Sequence, residues 1–118
     1  MKKLITGAVA LATLATPSIA NAAASYCVGN VTNVFVYGTG DVVIYGSWRN
    51  GWTAICNVNE ERLGIKPQTC FTWFSVMSSA ITENKQVGVY YADLGAADCA
   101  TIPTYGSAPA PYYVRLIK

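Results

Sequence analysis

The chain has 118 residues, with eight Lys and Arg against six Asp and Glu, no His, and a formal net charge of +2. That length holds one domain at most. The absence of His removes the commonest proton-transfer side chain and the commonest metal ligand, so catalysis and zinc binding both lose their usual means.

Residues 1–22 read as a secretory signal peptide. Lys2 and Lys3 precede an apolar run from Leu4 to Leu14, followed by Pro17 and the small-x-small site Ala20-Asn21-Ala22. The apolar run is too short to span a bilayer, so no membrane insertion is expected. Cys27 lacks the Leu-x-small pattern that precedes a bacterial lipoprotein cysteine, so no lipid anchor is expected either. Cleavage after Ala22 leaves residues 23–118 as a single disulfide-stapled domain, secreted or periplasmic. It also removes two of the basic residues and leaves six against six acids. No basic patch is left to neutralise phosphates, which argues against nucleic acid as a partner.

The strands begin at Tyr26. Through Tyr37 the run YCVGNVTNVFVY is rich in β-branched and aromatic residues. Gly38-Thr39-Gly40-Asp41 turns it into a second strand, Val42 to Trp48. Asn50-Gly51 supplies the positive φ angles of a two-residue hairpin turn, and a third strand runs from Trp52 to about Val58. Asn59 to Thr69 is a connector that holds Glu60, Glu61 and Arg62. Two adjacent loop carboxylates form a solvated turn far more often than an acid/base dyad.

The predicted helix is Cys70 to Lys85. Cys70, Trp73, Phe74, Met77 and Ile81 recur at three- and four-residue steps. Thr69 is the expected N-cap, with Pro67 upstream in chain that is not yet helical. The other face carries Thr72, Ser75, Ser79 and Thr82 without a charge. This stripe is either a quiet surface or a close-packing face towards a neighbouring copy, a candidate oligomer interface. A fourth strand, Val87 to Tyr91, follows. Ala96 to Pro111 reads as an ordered loop pinned by its disulfide, and Tyr112 to Ile117 as the fifth strand.

Three strands in a meander, a helix and two more strands give the chain order of the OB-fold. The expected class is therefore mainly β with one α-helix, an OB-fold-like five-stranded barrel with the helix between strands three and four. An open antiparallel sheet with the helix on one face is the alternative. Four cysteines in a small exported chain imply two disulfides. In a meander, Cys27 and Cys56 lie at opposite ends of strands running the same way. Strand four, antiparallel to strand one, brings Cys99 towards Cys27. The expected pairs are Cys27–Cys99 and, by remainder, Cys56–Cys70.

The remaining signal is aromatic. All three Trp, eight Tyr and three Phe follow residue 22. Phe71, Phe74 and one face of strand four are the expected core. Trp48, Arg49, Asn50 and Trp52 gather two indoles, a guanidinium and an amide at the hairpin, a candidate ligand-binding group for a sugar ring or a protein surface. The plainer alternative turns Trp48 inward with Ile44 and sets Trp52 over the barrel end. Tyr90 and Tyr91 must point to opposite faces of their strand. Tyr105, Tyr112 and Tyr113 flank the Pro-rich loop, either as a recognition surface or as loop packing.

The run ICNV…CFTWFSVMSSAITENKQVGVYY, Ile55 to Tyr91, resembles the strand–helix–strand passage of the B subunits of bacterial one-A-five-B toxins, the subtilase cytotoxin type in particular. That resemblance implies a non-catalytic glycan-binding homo-oligomer, a cyclic pentamer whose helices line a central pore, whose strands pair between neighbours and which carries a catalytic subunit. No cofactor is expected. The alternative is a monomeric envelope protein acting as an inhibitor or an assembly partner.

Overall fold

The computed structural model describes residues 24–118, so the expected signal peptide lies outside the described residues. The elements, in order, are β1 (Ser25–Gly29), β2 (Val31–Val36), β3 (Asp41–Gly46), β4 (Gly51–Asn57), α1 (Pro67–Glu83), β5 (Gln86–Tyr91) and β6 (Tyr113–Ile117). The chain is mainly β with one helix, as expected.

The described strands do not close into a single five-stranded barrel. They form two three-stranded antiparallel sheets, β1-β5-β6 and β2-β3-β4. The reason lies at Asn30, which splits the expected first strand in two. Its N–H donates to the Ser47 hydroxyl at 3.0 Å and its carbonyl accepts the Ser47 N–H at 2.9 Å. The backbone at Asn30 is therefore held by the β3–β4 turn, and the chain leaves one sheet there and enters the other. The split also places the helix after a fourth strand rather than a third.

The β3–β4 hairpin forms, with a longer turn than the sequence suggests. Ser47 to Asn50 make the turn, and the Arg49 and Asn50 N–H groups both donate to Gly46 O, at 3.1 and 2.9 Å. Only Asn50 takes a positive φ, 52°, while Gly51 already belongs to β4. In β4 the register slips opposite Val42 and Val43. This irregularity lets Ile55 and Cys56 both be buried.

Helix α1 starts earlier than its periodicity predicts. Lys66 is the N-cap residue, without a side-chain cap bond, and Pro67 is the first helical residue, so Thr69 lies inside the helix. Proline suits that position because its missing N–H would have no partner there, and its fixed φ is already helical. The helix ends at Asn84, which is left-handed at φ 55° with its N–H directed to Ala80 O and Ile81 O. Cys70, Trp73, Met77 and Ala80 face the core, and Phe74 packs beside them. Phe71, expected in the core, is 59% exposed, and Ile81 is exposed as well.

The core lies between the sheets and the helix. Val42, Ile44, Ile55, Val87, Val89 and Tyr91 meet Met77 and Trp73 there. Burying aliphatic side chains of this size stabilises by about 1.5–3 kcal/mol each. Two disulfides staple the core. Cys27 bonds to Cys99, and Cys56 bonds to Cys70. These are the pairs expected from strands one and four being antiparallel, and β1 and β5 do pair antiparallel, Cys27 opposite Val89.

Candidate functional site

The hairpin residues singled out in the sequence do not share one surface. Trp48 packs against the core, and its ring lies over Gly46, where a Cβ would sit 2.6 Å from the indole. Its indole nitrogen is buried without a hydrogen-bond partner among the described residues. Arg49 donates its Nε to the Ile102 carbonyl at 2.6 Å and so holds the long loop against the hairpin. Trp52 lies beside Tyr45 and Phe35, with ring centroids 5.0 and 5.1 Å away. Asn50 is exposed at the tip. The guanidinium of Arg49 and the indole of Trp48 are thus engaged within the chain, which leaves Asn50 and part of Trp52 facing outward.

The uncharged helix stripe is exposed at Thr72, Ser75 and Thr82, and partly exposed at Ser79. The Thr72 hydroxyl donates to Gln68 O at 3.4 Å and the Ser75 hydroxyl to Phe71 O at 3.2 Å. These bonds turn the hydroxyls back onto their own helix. Among the described residues no such bond is shown for Ser79 or Thr82, and the exposed Phe71 lies beside the stripe.

Two aromatic groups lie on the sheets. Phe35, Tyr37, Tyr45 and Trp52 gather on β2-β3-β4, and of these Tyr37 is exposed. A mostly exposed group of tyrosines lies on the outer face of β1-β5-β6. The registers Tyr26↔Tyr90 and Tyr90↔Tyr113 put three tyrosines in one row across the sheet. Tyr90 and Tyr113 stack with centroids 5.1 Å apart and planes 18° from parallel. Tyr26 stands 6.3 Å from Tyr113, and Tyr112 meets Tyr90 edge-on at 6.1 Å. Tyr112 is placed by its N–H, which donates to Tyr90 O at 2.7 Å. In the next row of the same sheet, Gly88 stands opposite Arg115. The Tyr26 hydroxyl occupies the space that a Gly88 side chain would need. Tyr26, Tyr112 and Tyr113 are all exposed, Tyr112 the most at 71%. Antiparallel neighbours of this kind set ring faces and phenol hydroxyls side by side across the strands. The sequence carried half of this signal, in Tyr90-Tyr91 and Tyr112-Tyr113. Tyr26 joins them only through the pairing of β1 with β5.

Two polar groups lie deeper. A tight turn with Leu63 at φ 50° and Gly64 at φ 87° positions Arg62, whose backbone exchanges hydrogen bonds with Ile65. Arg62 Nη2 donates to Gly106 O at 3.2 Å and Ala108 O at 2.8 Å, which fastens the loop that leads to β6. Its Nη1 and the Tyr91 hydroxyl are both buried without a hydrogen-bond partner among the described residues. Burial pushes Tyr91 up to about 12, against the smaller opposing influences of Thr53 and the Arg62 charge. Burial lowers Arg62 from its ordinary value, with Asp41 and Tyr91 opposing. Among the described residues, no cluster of three or more Cys, Asp or Glu side chains is placed to hold a metal ion. No described helix is long and apolar enough to cross a membrane.

No protein-family model matches the chain, nor does any curated protein or solved structure.

Proposed function

We propose that the protein is an exported, non-catalytic recognition subunit whose tyrosine face on β1-β5-β6 binds glycan. The row Tyr26–Tyr90–Tyr113, flanked by Tyr112 and Arg115, carries the reading. Phenol rings offer faces for the C–H side of a sugar and hydroxyls for its polar edge, while Arg115 supplies donors. Two cystines in so small a domain fit an oxidising compartment, secreted or periplasmic.

The subunit belongs in a ring of its own copies. Strands β2 and β6 end their sheets, and the exposed α1 stripe of Thr72, Ser75, Ser79 and Thr82 carries no charge that would resist a neighbour. This is the arrangement implied by the resemblance to one-A-five-B toxin B subunits.

A glycan array probed with the wild type, Tyr113→Ala and Tyr26→Ala tests the binding site. Loss of signal in both variants, with Trp52→Ala unaffected, is the expected result. Binding that survives both tyrosine changes and disappears with Trp52→Ala returns the site to the hairpin. No glycan signal, with capture of a protein ligand instead, rejects the glycan reading. Sedimentation at high micromolar concentration tests the ring, and a strict monomer excludes it.

A further inference from the structure

A cavity of about 270 Å³ opens between the β1–β2 corner and the last turn of α1, and it shares no lining residue with the tyrosine face. We propose that it is a second ligand site, one that takes a single neutral, hydroxyl-rich ring such as a terminal hexose. Asn30, Thr32, Asn84 and Lys85 line it together with the aliphatic Val31 and Ile81. The volume falls just below the ~300–1,000 Å³ usual for ligand sites, which limits the occupant to about one ring.

Three separate backbone features place its polar residues. Asn30 is fixed at the corner by its two backbone bonds to Ser47. Thr32 sits where the register of β2 slips between Val31 and Asn33, the kind of irregularity that re-aims a side chain. Asn84 holds the left-handed helix terminus at φ 55°, where glycine is the cheaper residue, so the asparagine supplies an amide that the fold does not require. Within the described residues, no hydrogen bond engages the side chains of Asn30, Thr32 or Asn84, all three exposed, which leaves two amides and a hydroxyl free to donate and accept.

The chemistry of that set selects the ligand. An amide offers both a donor and an acceptor, which matches the edge of a diol, and Val31 with Ile81 gives the ring's C–H face an apolar wall. Lys85 is the sole cation among the lining residues, and its Nζ already lies 3.2 Å from Glu83. A neutral polyol therefore fits better than an anion.

The test is a titration of the full mature protein with D-galactose, D-glucose and D-mannose, followed by ¹⁵N–¹H TROSY spectra, with acetate as the anionic control. Saturable shifts at the Asn30, Thr32, Asn84 and Lys85 amides with at least one sugar are expected. They should persist in Tyr113→Ala and weaken about tenfold in Asn84→Gly, the loss of one amide contact in a variant that keeps the helix terminus. Absence of saturable shifts at these amides with all three sugars overturns the proposal. So does an equal response to acetate that disappears in Lys85→Gln. Shifts confined to the tyrosine row overturn it as well, and leave the reading of that face standing.

Discussion

Of the two sheets, β2-β3-β4 is built from neighbours in the chain, whereas β1-β5-β6 joins the first strand to the last two. The first of these closes through short turns and pays little loop entropy. Its outer aromatics, Phe35, Tyr45 and Trp52, pack on one another and are half-buried. The second sheet brings Cys27 to Cys99 across a sequence separation of 72, and it leaves Tyr26, Tyr112 and Tyr113 exposed. The local sheet consolidates itself and leaves Tyr37, just after β2, exposed beside Phe35. The non-local sheet has covalent help, and it presents more rings to solvent.

Removing the staples separately is the strongest way to break this contrast. On the chain-entropy model, losing Cys27–Cys99 (Cys27→Ser with Cys99→Ser, separation 72) costs about 4 kcal/mol. Losing Cys56–Cys70 (separation 14) costs about 3 kcal/mol. Urea denaturation of the two double variants measures both. A larger loss from the shorter bridge would mean that the helix attachment, and not the long-range sheet, limits stability.

The next effect appears at high pH. The Tyr91 hydroxyl is pushed up to about 12 from 10.0, mainly by burial. Burial makes ionisation of this hydroxyl harder in the folded chain than in the unfolded one. Stability is therefore unaffected below the unfolded value and falls as pH rises from about 10 to about 12, by about 2–3 kcal/mol. Tyr91→Phe should remove this part of the alkaline loss. At neutral pH it should be neutral or stabilising by up to about 1 kcal/mol, because a buried hydroxyl without a partner is removed. Denaturation midpoints of both proteins across that range are the check.

A finer comparison comes from two glycines, each lying beneath a ring. A Cβ at Gly46 would sit 2.6 Å from the Trp48 indole, which is wedged against the core. Gly46→Ala should therefore cost about 1–3 kcal/mol. At Gly88 the obstacle is the free end of Tyr26, an exposed ring that can swing away. Gly88→Ala should change stability by less than about 1 kcal/mol while altering the glycan binding proposed for that face, since Tyr26 must leave the row. Equal destabilisation by both changes would show that the tyrosine face is as fixed as the core.

The elements set by local chemistry were legible in the sequence. The helix, the hairpin and both turns into β3 and β4 follow from periodicity and turn residues, and the cystine pairs follow from the antiparallel relation of the first and fourth strand runs. What was not legible depended on distant partners. Gly29-Asn30 is a turn-forming pair, but β-branched residues on both sides read as one strand. The break is made by Ser47, seventeen residues away. The helix face was drawn through Ile81, whereas Ala80 is the residue buried there, because apolar periodicity gives little weight to alanine. Phe71 looked like core by composition and is exposed by its phase on the helix. The tyrosine row was half visible, since cross-strand neighbours are not neighbours in sequence. The hairpin group looked like a site because Trp48 and Arg49 are adjacent in the chain, and in the fold one is wedged inward and the other holds a loop.

The Cys27–Cys99 bond also sets a problem for the chain as it is made. Thiols emerge from the N-terminus in the order 27, 56, 70 and 99, so the first to appear has the last as its partner. In the interval an oxidant meets Cys27 with only Cys56 and Cys70 to join it to, and either choice traps a crossed product. Where such a link forms, it has to be undone after the final quarter of the chain arrives; early closure of the native Cys56–Cys70 bond is what avoids it. Reduced protein should therefore recover faster with a shuffling catalyst than with an oxidant alone.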